Sequence, residues 1–152
     1  MKKILLAISL FLVLSAPCWA QMSVSCSLSS VSVQVKRCFA QGDDVLVDLI
    51  VTGTGRVQKM YFSHYSEAYY DEGNKYYVSV INAPFYIQFE CDNRTGLSGF
   101  WLDVPKDVPR KVRMRMLGAD EYASSFPLIK IPCDGDDSTH GVITIKNLPI
   151  NK

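Results

Sequence analysis

The sequence predicts an all-β protein, built as a two-sheet sandwich of about 7–9 antiparallel strands. Short segments alternate apolar and polar residues with a period of two, which is typical of half-buried strands. Turn residues, mainly Gly, Asp and Pro, separate these segments at regular intervals. The same period is compatible with a closed barrel, so that alternative stays open. The alternation is clearest in Val31–Val35, Val45–Val51, Phe85–Phe89 and Val112–Met116.

The first half of the chain supplies three predicted strands. In Val31–Val35 the valines alternate with polar residues, so we expect one face of this strand to be buried. Val45–Val51 also carries Leu46 and Ile50 on its second face, and we therefore place it in the centre of a sheet. The third strand, Val57–Phe62, follows a turn of alternating Thr and Gly residues.

The second half continues the pattern. Asp71–Asn74 predicts a hairpin turn between aromatic strands, because its Gly adopts a positive φ at little cost. In Val112–Met116 a basic stripe alternates with the apolar residues, and we interpret it as a solvated outer face that also discourages edge pairing. Only residues 119–125 are compatible with a helical turn. The remaining predicted strands are Phe85–Phe89, Phe100–Leu102, Phe126–Ile131 and Val142–Leu148, and the basic stripe is Lys111, Arg113 and Arg115.

The first 20 residues have the order of a secretory signal peptide. Lys2 and Lys3 provide a positive start, residues 4–14 are apolar apart from one serine, and Ala20 fits the cleavage site. The apolar run is shorter than the roughly 20 residues that a membrane-spanning helix needs. We therefore expect a signal peptide at 1–20 and a single β-sandwich domain at 21–152, exported to the periplasm, the cell surface or the medium.

An alternative interpretation makes Cys18 the lipid-anchored first residue of the mature chain. A typical lipoprotein signal has an aliphatic residue three positions before that cysteine and a small residue directly before it. Ser15 and Pro17 occupy those positions here. Cleavage after Ala20 is therefore the preferred prediction.

Charge and hydropathy exclude two classes of partner. Loss of Lys2 and Lys3 with the signal peptide changes the formal net charge from +1 to −1. A nearly neutral chain without a basic run lacks the electrostatic footprint of a protein that binds nucleic acid or an anionic membrane. After the signal, no apolar stretch is long enough for a membrane span. We expect no nucleic-acid partner and no membrane span, and the sequence leaves the oligomeric state open.

Four cysteines remain after cleavage, an even number that predicts two disulfides in an exported chain. None belongs to a Cys-x-x-Cys pair, and no histidine lies at a zinc-like spacing, so metal or redox chemistry is the less favoured interpretation. Four cysteines allow three pairings. Cys91 and Cys133 share the phase of their apolar neighbours, which favours the pairs Cys26–Cys38 and Cys91–Cys133.

Five stretches that cover most of the mature chain are Val33–Cys38, Asp43–Thr52, Tyr70–Tyr76, Pro109–Met114 and Ile143–Ile150. They resemble small immunoglobulin-like domains of uncharacterised exported bacterial proteins. The signal and the Gln21 that follows it resemble those of Bacteroidota exports. The resemblance implies an immunoglobulin-like sandwich and transfers no catalytic residue. The cysteine and tryptophan core of antibody domains is not recognisable here, and a fold alone does not define a function.

A cluster of tyrosines is the strongest candidate for a binding site. Tyrosine offers a large flat contact area with a polar tip, and exposed clusters of it often bind sugars or proteins. The alternative is that the rings line the core, as aromatic residues in strands commonly do. We therefore expect an aromatic face that meets an envelope protein or a glycan. Its candidate residues are Tyr61, Tyr65, Tyr69, Tyr70, Tyr76 and Tyr77.

The sequence predicts a non-catalytic module without cofactor or metal. A small hydrolase that uses His64 or His140 is the alternative, because serine and acidic residues lie near both histidines, but no nucleophile elbow accompanies either of them. The acidic run Asp134–Asp137 has oxygen ligands suited to Ca²⁺. However, Thr139 stands where the helix–loop–helix calcium pattern requires Gly, so solvated turn acids are preferred.

Overall fold

Twelve strands and no helix make up the residues that this computed structural model describes, which are 21–70, 76–78, 86–119 and 123–152. The predicted signal peptide and the hairpin turn at Asp71–Asn74 lie outside these residues. The strands are β1 (Ser23–Cys26), β2 (Val31–Gln41), β3 (Asp44–Gly53), β4 (Lys59–Phe62), β5 (Glu67–Tyr69), β6 (Tyr76–Val78), β7 (Tyr86–Cys91), β8 (Arg94–Leu97), β9 (Phe100–Asp103), β10 (Pro109–Leu117), β11 (Ser125–Gly135) and β12 (His140–Pro149).

The strands form two separate antiparallel sheets. The seven-stranded sheet has the order β1-β12-β11-β4-β9, with β5 paired to β11 and β6 paired to β5. The five-stranded sheet has the order β2-β3-β10-β7-β8. The predicted all-β, two-sheet sandwich is thus confirmed. The strand count exceeds the expected 7–9 because several strands, such as β5 and β6, have only three residues and are too short to show a period of two.

Alternation along the longest strands builds one core between the sheets. Val45, Val47, Leu49 and Val51 of β3 are buried on the inner face of the five-stranded sheet. From the other sheet, Ile129 and Ile131 of β11 pair with Ile145 and Ile143 of β12, and all four are fully buried. Burial of large aliphatic side chains contributes about 1.5–3 kcal/mol each, so this layer is the main source of stability.

A phenylalanine cluster joins the two sheets near β4 and β9. The rings of Phe62 and Phe100 stack in parallel, with 5.0 Å between their centroids. Phe89, from the five-stranded sheet, lies 5.6 Å from both rings in a tilted arrangement. Offset or tilted aromatic pairs of this kind contribute about 0.5–1.5 kcal/mol beyond simple burial. This cluster fixes the inward side of β4 and β9, and so determines which side chains of these strands point outward.

The outer face of the five-stranded sheet carries a buried carboxylate. Asp48 of β3 is fully buried and lies between Arg37 of β2 and Arg113 of β10 in the strand register. Arg113 Nε donates to Asp48 Oδ1 at 2.6 Å, and Arg37 forms a second ion pair with the same carboxylate. The basic stripe is therefore partly covered and ion-paired. The stripe lies on the outer face as predicted, but its arginines are ion-paired. Its expected role against edge pairing is wrong, because β10 lies between β3 and β7 and is not an edge strand.

In the described ranges of the chain, no helix is long and apolar enough to cross a bilayer.

Candidate functional site

A row of four polar or aromatic side chains crosses the outer face of the seven-stranded sheet. In the strand register, Trp101 of β9 lies opposite Tyr61 of β4, and Tyr61 lies opposite Asp134 of β11. Asp134 in turn lies opposite His140 of β12. Residues that face each other across neighbouring strands project from the same side of a sheet. The register therefore gathers residues from four strands into one surface, which we call the Trp101 face: Trp101, Tyr61, Asp134 and His140.

Alternation explains why two aromatic rings point outward here. The neighbours of Tyr61 in β4, Met60 and Phe62, are fully buried, and so are the inward residues of β9. Because successive residues of a strand point to opposite faces, Tyr61 and Trp101 must lie on the outside. Trp101 is 49% exposed, and its ring centroid lies 5.4 Å from that of Tyr61 at an angle of 48°. The two rings form a tilted platform at the surface.

Gly99 makes room for the Tyr61 ring. A Cβ atom at Gly99 would lie 2.5 Å from the Tyr61 hydroxyl oxygen, closer than real side chains allow. Because Gly99 has no side chain, the Tyr61 hydroxyl can occupy this position next to β9. Larger side chains at position 99 would push the ring away from the platform.

The histidine end of the Trp101 face is an exposed acid–base pair. His140 Nδ1 lies 2.6 Å from Asp134 Oδ1, and the side chains are 83% and 41% exposed. A carboxylate on one ring nitrogen orients the imidazole and leaves its other nitrogen toward solvent. This arrangement provides a fixed polar group beside the aromatic platform.

A second set of polar groups borders the platform at Lys59 and Asp136. The Asp136 carboxylate accepts hydrogen bonds from the backbone N–H groups of Gln58 and Lys59, each at 3.2 Å. Its own N–H donates to the Lys59 carbonyl at 3.1 Å. Lys59, Trp101 and Asp136 line an open depression of about 360 Å³. The loop between β11 and β12 is thereby held against β4, with a carboxylate and an ammonium group beside the exposed tryptophan.

The structure separates the four tyrosines of the predicted cluster whose side chains it describes, Tyr61, Tyr65, Tyr69 and Tyr70. Tyr61 belongs to the Trp101 face, whereas Tyr65 is 62% exposed in the β4–β5 connection, where its ring lies 3.9 Å from that of His64. Tyr69 projects from the same side of the sheet as Tyr61, but their partners on β11 are Leu128 and Asp134, about 20 Å apart along the strand. A single continuous tyrosine face is not formed by these three.

Tyr70 belongs to the core and not to a binding face. It is only 7% exposed and packs within the main hydrophobic cluster. Tyr76 and Tyr77 lie on β6, opposite Tyr69 and Ala68, and their side chains fall outside the described part of the structure.

Sequence reasoning placed only Tyr61 of the Trp101 face in a binding surface; it considered His140 for a hydrolase and Asp134 as a calcium ligand, and it did not place Trp101 in a site. Trp101 stood between the buried Phe100 and Leu102, and this alternation was the available signal for its exposure. Asp134 and His140 flank a turn and pair with each other across it, which a local hairpin reading would have found. Because both residues are more than 70 positions from Tyr61 in the sequence, their location on the same face could not be predicted from local patterns.

The carboxylates of the acidic run Asp134–Asp137 already form hydrogen bonds within the protein. Asp137 accepts hydrogen bonds from the Thr139 hydroxyl and the Thr139 backbone N–H, and these bonds lower the pKa of Asp137 below its ordinary value. Asp134 and Asp136 are directed to His140 and to β4. Among the described residues, no three His, Cys, Asp or Glu side chains are grouped so that they could hold a metal ion.

A second open depression, of about 400 Å³, lies on the five-stranded sheet. Its cationic residues include Arg94, Lys111 and Arg113. Arg113 is already bound to Asp48 and lies near Glu90, so its charge is largely compensated. The depression has no exposed aromatic platform, and it is a weaker candidate than the Trp101 face.

All four cysteines of the described chain are free thiols. Cys38 is buried and its pKa is raised to about 12 by burial. Cys91 is buried beside Arg94, whose Nη2 lies 3.4 Å from its sulfur. Cys26 is half-buried and Cys133 is buried, and neither of the favoured pairs, Cys26–Cys38 and Cys91–Cys133, is bonded in the described chain. Two disulfides per chain remain a prediction.

Comparison with known proteins adds no family to this description. No protein-family model and no curated protein matches the chain. What the fold and the site define is an antiparallel two-sheet sandwich with an aromatic and charged patch on one outer face.

Proposed function

We propose that this protein is a non-catalytic, exported binding module of the cell envelope, acting in the periplasm or at the cell surface, and that its Trp101 face binds a glycan. The carrying observation is the half-exposed Trp101 ring, which packs on Tyr61 at the edge of an open depression. The predicted signal peptide supports export.

The chemistry of the Trp101 face suits a sugar. Aromatic faces stack against the apolar C–H side of a pyranose ring, while the hydroxyl groups of the sugar need donors and acceptors at the rim. Lys59 supplies a donor, Asp136 an acceptor, and the His140–Asp134 pair can supply both. An open shape with few placed polar groups fits the end or the side of an oligosaccharide better than a small enclosed ligand.

The charges around the platform argue against a protein partner. The cores of protein–protein interfaces are depleted of charged residues, and a standard interface covers about 800 Å² on each partner. Here Lys59 and Asp136 line the depression with Trp101, and Asp103 lies opposite Lys59 in the strand register. The apolar centre is therefore small and has charged groups beside it.

The hydrolase alternative has part of its machinery at His140. The His140–Asp134 pair resembles the base and the orienting acid of a catalytic triad. A triad also needs a nucleophile within hydrogen-bond reach of the second ring nitrogen. In the described ranges no serine, threonine or cysteine makes a hydrogen bond to His140, and the nearby Thr139 hydroxyl donates to Asp137. Binding is therefore the better supported function.

A glycan array followed by calorimetry tests the proposal. The protein is applied to immobilised bacterial and host oligosaccharides, and the best binder is titrated against wild type and Trp101→Ala. Loss of a central aromatic anchor is expected to weaken binding about 30-fold, because such anchors contribute about 2 kcal/mol or more. Tyr65→Ala is the matched control: it removes an even more exposed ring outside the Trp101 face, and binding should stay within twofold.

Four outcomes would contradict the proposal. No glycan bound above background, or equal binding by Trp101→Ala, would exclude the Trp101 face as a glycan site. A purified envelope protein bound through Trp101 would replace the glycan with a protein partner. Turnover of an ester or glycoside that disappears in His140→Ala, or in His64→Ala, would establish the hydrolase instead.

A further inference from the structure

The two aromatic rings of the Trp101 face are neighbours across the strands and not along them. Trp101 and Tyr61 are register partners on β9 and β4, and their ring centroids lie 5.4 Å apart. A strand repeats its face every second residue, and the positions two residues away on either side hold no aromatic side chain. Those positions are Lys59, Ser63, Gly99 and Asp103. A ligand that contacts both rings therefore extends across the sheet.

The row continues with polar groups at the same strand spacing. Asp134 of β11 is the next register partner after Tyr61, and His140 of β12 follows it. Neighbouring strands lie about 4.8 Å apart, so the four side chains span about 14 Å across four strands. His140 ends the row, because β1 pairs with Ile143–Lys146 of β12 and does not reach position 140. The row thus offers two rings followed by one hydrogen-bonding pair.

We propose that the Trp101 face holds an extended oligosaccharide of at least three units across β9, β4, β11 and β12. Its first unit lies on Trp101, its second on Tyr61 and its third at the Asp134–His140 pair. One strand spacing is close to the length of one pyranose unit in an extended chain, so successive units meet successive strands. This inference rests on the proposed glycan-binding function and adds the direction, length and linkage of the glycan.

The spacing of the row selects the type of linkage. When both bonds to the glycosidic oxygen are equatorial, as in cellulose and chitin, the chain is extended and advances by nearly a full ring per unit. An axial bond, as in maltose-type chains, curves the chain away from a straight row. Consecutive rings of the extended chain are turned over, so Trp101 and Tyr61 meet opposite faces of neighbouring units. Glucose-type rings, whose substituents are all equatorial, present an apolar C–H surface on both faces to such aromatic rings.

The exposure and the polar border of the row accommodate such a chain. Trp101 is 49% exposed and the His140 side chain 83%, so both ends of the row are open to solvent. Lys59 and Asp136 lie beside Trp101 in the open depression, where they can bond to hydroxyl groups at the edge of the first ring. Asp134 holds His140 Nδ1 at 2.6 Å, which leaves Nε2 for a hydroxyl group of the third ring.

Calorimetric titration with oligosaccharides of one to five units tests length and linkage together. The probes are cello-oligosaccharides and chito-oligosaccharides. Malto-oligosaccharides are the matched control, because they contain the same glucose units as the first series but are joined through an axial bond. Affinity for at least one extended series should rise about fivefold with each unit up to the third, since an aromatic contact or a hydrogen bond adds roughly that factor. Malto-oligosaccharides should show no such gain.

Two variants locate the path of the chain. In His140→Ala the gain from the second to the third unit should disappear, whereas the gain from the first to the second should remain. Lys146→Ala is the matched control, because Lys146 is also exposed on β12 but lies about 20 Å from position 140 along the strand. This variant should keep both gains. Thermal melts of the two variants should coincide with that of wild type, since both side chains are exposed.

The outcomes separate this inference from the proposed function. The inference is overturned if malto-oligosaccharides bind as tightly as the extended series, if affinity stops rising at the first unit, or if His140→Ala keeps the gain from the third unit. Binding of another glycan through Trp101, without binding of either extended series, also overturns it but leaves the proposed function intact. If no glycan of any kind binds, both proposals fail.

Discussion

Asp48 of β3 and Arg113 of β10 face each other across two paired strands, with 2.6 Å between Oδ1 and Nε. Arg37 binds the same carboxylate from the other side, and the Lys111 ammonium lies 3.8 Å away. One buried acid thus links three neighbouring strands, β2, β3 and β10, on the outer face of the five-stranded sheet. Two predictions follow from this carboxylate.

Asp48→Asn should destabilise the protein by about 3 kcal/mol. The amide keeps the size of the side chain but removes the charge, so Arg37 and Arg113 lose the carboxylate that they share, which is the costly way to break a buried ion pair. Urea unfolding of wild type and variant measures the loss. Asp92→Asn is the control, because Asp92 pairs with Arg110 at the surface and should cost less than about 1 kcal/mol. Equal losses would contradict the role of Asp48.

Acid should weaken the protein through the same residue. Burial alone would raise the pKa of Asp48, but hydrogen bonds from Arg113 and Arg37 outweigh it and hold the pKa below its ordinary value of 3.8. The unfolded chain therefore takes up this proton before the folded one. The stabilisation is complete well above pH 3.8 and is lost as the pH falls through the lower pKa of the folded state.

Thermal melts between pH 6 and pH 2 check this dependence. The melting temperature of wild type should fall steeply below about pH 4, and the fall should be shallower in Asp48→Asn, which has no proton to bind at this site. Parallel curves for the two proteins would assign the acid sensitivity to other carboxyl groups.

The fold class could be predicted from the sequence because the alternation of apolar and polar residues in a strand is a local property of the chain. Val45–Val51 alternates strongly, and it lies within β3, which is buried on both faces as predicted for a central strand. Asp48 in the same segment was visible, but its partners lie 11 and 65 positions away, on β2 and β10. Local periodicity reports which side of a strand is buried and not which strand lies next to it.

The candidate site was predictable only in part for the same reason. Tyr61 was chosen for its residue type and density of neighbouring tyrosines, whereas the structure joins it to Trp101, 40 positions later in the chain, and to Asp134. Those contacts depend on the register of β4 with β9 and β11. Tyr70, in contrast, was adjacent in sequence and is in the core. Density along the chain is a poor measure of proximity on a sheet.

Gly53→Ala should destabilise the protein by about 2–3 kcal/mol. A Cβ atom at Gly53 would lie 2.1 Å from the backbone oxygen of Val104, so the connection after β9 would have to move away from β3. The hydrogen bond from the Asp107 N–H to the Gly53 carbonyl, at 3.0 Å, would be strained as well. Urea unfolding measures the change in stability.

Gly42→Asn is the matched control for this close approach. Gly42 has a φ of 62°, a conformation that Asn tolerates, and nothing lies within 4 Å of its Cβ position. We expect a loss below about 1 kcal/mol. If Gly53→Ala were as mild as Gly42→Asn, the close packing of the β9–β10 connection on β3 would be wrong.

Tyr70→Ala and Tyr65→Ala should separate core from surface within the predicted tyrosine cluster. Tyr70 is 7% exposed, and cutting a buried aromatic ring to Ala costs about 3–5 kcal/mol, which lowers the melting temperature by about 10 °C or more. Tyr65 is 62% exposed, and its loss should change stability by less than about 0.5 kcal/mol. A thermal-melt series on both variants, with Trp101→Ala beside them, makes the comparison.

Trp101→Ala should melt close to wild type because its inward neighbours Phe100 and Leu102, and not Trp101, hold β9 in the core. A large loss in Trp101→Ala would mean that the platform supports the fold, and the Trp101 face would then be a structural feature without a site.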